Sequence, residues 1–392
     1  MRLEQLEQAW ASGRLVPLAG PGETPPAVPA GLELQHGPGV IMGSGGSMGG
    51  RRWCLQPLGH LQESAAATGR WLAAQGLDPA ACLHLNPLPL HHVSGLLPWV
   101  RSRQWGAQHR TLAPALMRDP VALAAVLPAS ELERQGPVLL SLVPTQLGRL
   151  LADPAGVAWL QQLALIWVGG APLPAALAAT ARQLGLALAP CYGATETAAM
   201  VCALPPARFL AGALGCGAPL DDVSLRVEAD SGALAIATAR LSPGWLEQGV
   251  LVPLPRTADG CWLSGDAARI DAQGLQVLGR LDGAILSGGE TVFPEQVEQR
   301  LGVLIQAAAL PVAALLLLGE SDPVWGERLV ALVRLQGDAA KAPVLLEALA
   351  RLAQQLPPAQ RPGRWQLCAS LEPTIAGKWE RQRWQQWLAG QA

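Results

Sequence analysis

The run Tyr192-Gly193-Ala194-Thr195-Glu196-Thr197 sets an aromatic ring, a bare glycine, a hydroxyl and a carboxylate in immediate succession. A ring beside glycine backbone offers a slot for a flat base. A hydroxyl can hold a phosphate, and a carboxylate can hold a hard cation such as Mg2+, which prefers oxygen ligands. Downstream, Ser264-Gly265-Asp266 supplies a carboxylate able to accept from two sugar hydroxyls. Gly279-Arg280-Leu281-Asp282 adds a guanidinium that can donate to a ribose or a phosphate. Upstream, Ser44-Gly45-Gly46-Ser47-Met48-Gly49-Gly50-Arg51-Arg52 is a glycine-rich turn. Its backbone N–H groups can wrap phosphates, and Ser44 and Ser47 add hydroxyl donors. Gly169-Gly170-Ala171-Pro172 lets backbone approach a ligand closely. Two further segments carry reactive groups. Adjacent His91 and His92 sit in a loop bounded by proline and glycine, Asn86 to Gly95, and Lys378 lies in Leu371–Arg381 as one of only two lysines, with Lys341.

These groups need a frame that brings them together. From Pro137 the pattern alternates: a strand over Val138–Val143, a helix opened by Pro144-Thr145, a strand over Leu163–Val168, a helix over Leu173–Leu184 and a strand over Leu186–Cys191. Such alternation predicts an α/β fold with a mainly parallel sheet layered with helices. Ligands on such sheets sit beyond the carboxyl ends of strands, where both Gly169-Gly170 and Tyr192-Gly193 fall. Earlier, a helix is expected over Glu63–Gln75 and a strand over Ala81–Leu85, while residues 1–39 read as loosely organised. The broken apolar runs of Ala213–Leu263 predict a smaller β-rich subdomain. Past Arg280 the pattern changes again: a helix over Phe293–Leu301, strands over Pro311–Leu318 and Leu329–Leu335, and a helix over Ala342–Gln354. This gives two expected domains, a large one over 1–281 and a small mobile α+β one over 282–392.

With 392 residues, half of them hydrophobic and 15% charged, the chain can build such cores and is not a disordered polymer. A net charge of −2 gives no basic footprint for nucleic acid or an anionic membrane. The N-terminus has no apolar signal core, and the longest apolar run, Leu304–Leu318, contains Pro311 and reads as a loop and a buried strand rather than a span. Seven scattered cysteines with no C-x-x-C pair favour a reducing, cytoplasmic setting.

Taken in order, these motifs resemble those of acyl-adenylate-forming ligases, the ANL superfamily, over Ser44 to Arg381. The resemblance implies a two-step reaction in which a carboxylic acid is joined to AMP and then to coenzyme A, with ATP and Mg2+. It maps Tyr192 and Gly193 to adenine, Thr195 to phosphate, Glu196 to magnesium, Asp266 to ribose and Arg280 to ribose or phosphate. It maps Asp282 to the hinge of the small domain and Lys378, in a segment similar to P-R-T-x-x-G-K-x-x-R, to the mobile cation of adenylation. Gly46, Ser47 and Gly49 match the family's phosphate loop; Met48 replaces a hydroxyl residue, Arg51 a proline and Arg52 a lysine. His92, Ser94, Gly95 and Gly170 fall at the acyl pocket. Ser287-Gly288-Gly289-Glu290 resembles the strand lining the pantetheine tunnel, and Trp325-Gly326-Glu327 a structural turn of the small domain.

Within the superfamily, His91-His92-Val93-Ser94-Gly95-Leu96, Ser141–Leu151 and the missing counterpart of an N-terminal stretch of larger synthetases look like the 2-succinylbenzoate–CoA ligases of menaquinone and phylloquinone biosynthesis. The deviant phosphate loop points to their cyanobacterial type. Another aryl- or acyl-CoA synthetase, an adenylation domain loading a carrier protein, and a non-catalytic nucleotide-binding relic remain as alternatives. The partners expected are small molecules, the acid, ATP and coenzyme A, with no nucleic acid and no membrane span; the reading leaves room for a homodimer.

Overall fold

The alternation after Pro137 folds into a six-stranded sheet. In the computed structural model, which describes residues 3–44, 52–336, 342–374 and 379–391, its order is Gln108–Thr111, Leu83–Asn86, Val138–Leu142, Leu165–Val168, Leu188–Ala194 and Ala199–Ala203. The first five strands run parallel and the last antiparallel. The central strands are buried throughout, as a sheet covered on both faces requires. Leu140, Leu142, Ile166, Val168 and Leu188 form one core with the helices Pro144–Leu151, Pro154–Leu160 and Ala175–Gln183. Because side chains alternate along a strand, His84, Asn86, Ser141 and Trp167 project to the other face. There the helices Leu58–Ala73 and Val93–Trp105 pack.

Two more sheets surround this one. Leu15–Leu18, Gly39–Ser44, Arg52–Pro57, Gly244–Glu247 and Val250–Pro253 form a five-stranded sheet. Val223–Val227, Ala233–Thr238, Trp262–Asp271 and Gly274–Arg280 form an antiparallel four-stranded one, the expected β-rich part. A separate sheet follows residue 281: Glu290–Val292, Ile285–Ser287, Gly326–Leu335 and Val312–Asp322, with Arg364–Leu367 added parallel to Gly326–Leu335. Its two faces carry two cores, one built with the helices Pro294–Ala307 and Ala342–Ala353, the other with Arg381–Ala389. All buried members of both cores lie between Ile285 and Leu388, and those of the remaining cores end at Leu275.

Several elements differ from expectation. Residues 1–39 hold the helix Leu3–Ala11 and the strand Leu15–Leu18, whose Leu6, Val16 and Leu18 join a core with Leu61 and Leu96. The helix expected at Glu63–Gln75 begins at Leu58, directly after Pro57. The histidine segment expected as a loop ends in the helix Val93–Trp105. Its Pro98 and its unbroken burial from Gly95 to Ser102 erase both the propensity and the amphipathic period that announce a helix. Within the apolar run Leu304–Leu318 the helix Pro294–Ala307 continues to Ala307 before the strand begins at Val312. Among the described residues no helix is long and apolar enough to cross a membrane.

Candidate active site

Two strand ends meet over one carboxylate. The Tyr192 hydroxyl donates to Asp266 Oδ2 at 2.5 Å. The Ser264 hydroxyl accepts from the Asp266 N–H at 3.2 Å. Arg280 lies across the same carboxylate, 3.5 Å from Asp266 Oδ1, and donates to the Ser264 carbonyl at 3.1 Å. Its other edge grips Asp282 with two hydrogen bonds of 3.0 and 3.1 Å. Gly265 makes this possible: its φ is +76°, and a Cβ there would sit 3.0 Å from the guanidinium. Burial, then the neighbouring Asp266 charge, holds the Tyr192 phenol well above its ordinary value. Burial likewise raises Asp266, against the pull of Tyr192 and Arg280. Tyr192, Asp266, Arg280 and Asp282 are thus one hydrogen-bonded chain.

The Thr195–Thr197 turn is pinned on three sides. Gln56 Nε2 donates to the Thr195 carbonyl at 2.6 Å, and the Ser242 N–H to the Glu196 carbonyl at 2.7 Å. Arg240, fully buried and paired with Asp222 at 2.6 Å, donates to the carbonyls of Thr197 and Met200. The turn is followed by Ala198 and Ala199 with φ of 50° and 78°, left-handed backbone that non-glycine residues hold only under compulsion. Thr197 Oγ1 bridges the Ala194 and Ala199 carbonyls across it. The outcome is a fixed Glu196 side chain, 7% exposed, whose Oε1 accepts from the Trp245 indole N–H at 2.9 Å.

On the sheet face toward the helix Val93–Trp105 lies a buried polar group set. Asn86 Nδ2 donates to the Gly95 carbonyl at 2.8 Å and lies 3.3 Å from His109 Nε2. Ser141 Oγ is 3.5 Å from His84 Nε2. Arg101 is 4% exposed, with its guanidinium carbon 5.1 Å from the Trp167 ring centre. No described carboxylate lies within ion-pair distance of it, and burial pulls it down to about 10. His84 Nδ1, Arg101 Nε and Trp167 Nε1 are buried without hydrogen-bond partners among the described residues. Cys191, close enough to act on Arg101 electrostatically, packs against Gly169. This set therefore backs the Gly169–Tyr192 junction. A buried cation with no acid beside it is a place for an anion from outside.

Other expected residues fall around these groups. His92 caps the helix Val93–Trp105, with its ring 4.4 Å from that of His91; Ser94 is exposed in the first turn. Gly95 has no room for a side chain, since a Cβ would lie 2.1 Å from the Pro89 carbonyl oxygen. Gly170 takes φ +81° beside Val143, with Ala171 following in the turn. Ser44 ends its strand paired to Arg52. Gly288 and Gly289 form the tight turn of the hairpin Ile285–Val292, both with positive φ, and Gly288 lies against Trp325 in the turn between Val312–Asp322 and Gly326–Leu335. Gly46, Ser47, Gly49 and Lys378 lie outside the described residues. Arg101, Arg240 and Trp245 escaped the sequence reading. An arginine at the end of an apolar run was the available signal for Arg101 and a lone arginine among apolar residues for Arg240; among fourteen tryptophans none announced Trp245.

The fit to magnesium follows from the donors present. No cluster of three or more His, Cys, Asp or Glu able to hold an ion exists among the described residues. A single oriented carboxylate suits Mg2+, which keeps waters and binds through one or two carboxylates plus substrate phosphates. Glu196 would be that ligand.

Comparison with known proteins places these residues in context. Residues 59–238 match the family model of AMP-binding enzymes. A probable 2-succinylbenzoate–CoA ligase of Mycobacterium tuberculosis is 30% identical over 339 residues, 86% of this chain and 82% of that protein. The 2-succinylbenzoate–CoA ligase of Enterococcus faecalis is 28% identical over 358 residues, 88% of this chain and 68% of that one. The Bacillus subtilis o-succinylbenzoate CoA synthetase, MenE, in complex with the acyl-adenylate intermediate OSB-AMP shares the fold, with a TM-score of 0.73 at 22% identity, over 88% of this chain and 68% of its own. Wild-type E. coli MenE with a bound analogue of OSB-AMS gives a TM-score of 0.63 at 26% identity, covering 90% and 69%.

Proposed function

This chain belongs to the AMP-binding enzyme family, and from that premise we propose an AMP-forming acid–CoA ligase whose acid is 2-succinylbenzoate. The observation that carries the nucleotide half is the convergence of the Tyr192 hydroxyl, the Asp266 carboxylate and Arg280 on one spot beyond the sheet's carboxyl ends. Relatives from separate organisms named as 2-succinylbenzoate–CoA ligases support the acid. So does Arg101: 2-succinylbenzoate carries a second carboxylate, and a buried guanidinium without an acid partner suits its recognition.

In the first half-reaction the substrate carboxylate oxygen bonds to the α-phosphorus of ATP, and the bond to the β-phosphate oxygen breaks, releasing pyrophosphate. Tyr192 and Gly193 shape the base slot, Asp266 takes the ribose hydroxyls, and Thr195 meets the α-phosphate. Bound at Glu196, Mg2+ supplies charge neutralisation at the phosphates. Ser44, Gly46, Ser47 and Gly49 wrap the leaving phosphates, and Lys378 meets the charge developing between carboxylate and phosphate. In the second half-reaction the coenzyme A sulfur bonds to the acyl carbon, the bond to AMP breaks and the thiol proton leaves. Residues 1–281 act as the large domain and 282–392 as the small one, turning about Asp282 to withdraw Lys378 and present Gly288 and Gly289 to the pantetheine. The two separate sets of cores support that division. Seven cysteines, none in a disulfide, suit a reducing cytoplasm.

The test is pyrophosphate release over a panel of acids, with and without coenzyme A. Turnover fastest with 2-succinylbenzoate among the acids, with thioester formed only when coenzyme A is present, supports the reading. Release with amino acids alone, or with no acid at all, refutes it.

A further inference from the structure

The strand Arg52–Pro57 leaves the glycine-rich loop and pairs antiparallel with Gly244–Glu247, setting Cys54 opposite Trp245. Arg52 then reaches the face of Trp245, its guanidinium carbon 4.5 Å from the ring centre, and Glu247 steadies it at 4.0 Å. The edge of the same ring donates its N–H to Glu196. Trp245 and Glu196 are 6% and 7% exposed, so water hardly competes for that bond, whereas Arg52 lies half in solvent. A cation on an indole face draws electron density from the ring and strengthens its N–H as a donor. Ligand-bearing carboxylates are commonly held this way by a second group that fixes their orientation.

We propose that Trp245 is the positioning residue of Glu196, and that Arg52 tunes it through the indole ring, coupling the end of the phosphate loop to the metal carboxylate. The proposal rests on the reading of Glu196 as the magnesium ligand. It also gives the arginine that replaces lysine at this position a task of its own. A planar guanidinium stacks on an aromatic face, whereas an ammonium is a compact, strongly hydrated point charge.

The probe is the preformed Mn2+ complex of α,β-methylene ATP, titrated with the full-length protein and measured by the enhancement of water-proton relaxation that only the protein-bound complex gives. Trp245→Phe keeps the ring and removes the N–H, and should weaken Mn2+ about tenfold, the low end of second-partner losses. Trp245→His restores an N–H and should regain part of the affinity. Arg52→Gln touches only a half-exposed residue and should weaken Mn2+ about threefold, in line with an exposed cation–π contact. Combined with Trp245→Phe it should add nothing, because the two act through one bond. Glu196→Gln separates the readings. If it abolishes Mn2+ binding while Trp245→Phe binds as the wild type, the positioning role of Trp245 is wrong and the metal reading stands. If Glu196→Gln binds Mn2+ normally, both fall. Additive losses from Arg52→Gln and Trp245→Phe overturn the coupling. Should Trp245→Phe fail to fold, Trp245→His and Arg52→Gln still decide the question.

Discussion

Replacing Arg101 by methionine should move stability and catalysis in opposite directions. The guanidinium is 4% exposed, no described carboxylate pairs with it, and burial lowers it from 12.5 to about 10. That difference corresponds to about 3 kcal/mol of burial cost. Below pH 10 both the folded and unfolded states keep the proton, so the cost is constant across the physiological range. Against it stands the contact with the Trp167 ring at 5.1 Å, worth about 1–2 kcal/mol when desolvated. Methionine fills similar volume without charge, so the ligand-free protein should gain about 1–2 kcal/mol, a rise of about 2–3 °C in Tm. For 2-succinylbenzoate the same change leaves a buried carboxylate unpaired, which costs about 3–5 kcal/mol, or roughly 10²–10⁴-fold in kcat/KM. Benzoate, with one carboxylate, should lose nothing. Thermal unfolding and continuous pyrophosphate release with both acids read the result. A fall in Tm with equal losses for the two acids would show that Arg101 serves the fold alone, and the assignment of the second carboxylate would go with it.

Gly193→Ala should disable the nucleotide slot: the new Cβ would lie 2.1 Å from the Ala199 carbonyl oxygen, an overpacking cost of about 1–3 kcal/mol, and isothermal titration with ATP should show weakened binding; unchanged affinity would contradict the close approach. Lys378→Ala should slow adenylation about 10²–10³-fold yet largely spare thioester formation from pre-made acyl-adenylate, and equal loss in both steps contradicts a rotating small domain. Glu298 is buried beneath Arg381, which donates to it at 2.9 and 3.0 Å, and burial outweighs that pull to lift it from 4.5 to about 7. In that interval the folded state holds the extra proton, so Glu298 favours folding below pH 4.5 and that contribution, on the order of 3 kcal/mol, is lost as pH rises through 7. Tm measured against pH should fall less steeply in Glu298→Gln over this window; parallel curves would place the proton elsewhere.

The parallel sheet was legible because its strands are local apolar runs separated by turns: Val138–Leu142 and Leu165–Val168 appear within a residue or two of their expected bounds. The groups of the nucleotide site were legible for the same reason. Tyr192 and Glu196 lie within one run of five residues, and Asp266 sits in its own short motif, so each chemical identity is readable from neighbours in the chain. The helix Val93–Trp105 was not, since Pro98 and all-round burial hide its period. The core role of residues 3–18 was hidden too, because it comes from contacts with Leu61 and Leu96 far along the chain.

By itself, then, the amino-acid order determined which groups could do chemistry and that they would gather at strand ends. Only the tertiary structure decided how they are joined: Tyr192 to Asp266 across 74 positions, Trp245 to Glu196 across 49, and Arg280 shared between Asp266 and Asp282. Burial decided the rest. Arg101, Arg240 and Trp245 are ordinary letters in a line, and they become functional candidates because the fold takes water from them, holding Arg240 on Asp222 and two carbonyls and Trp245 on Glu196 while leaving Arg101 with no described carboxylate beside it.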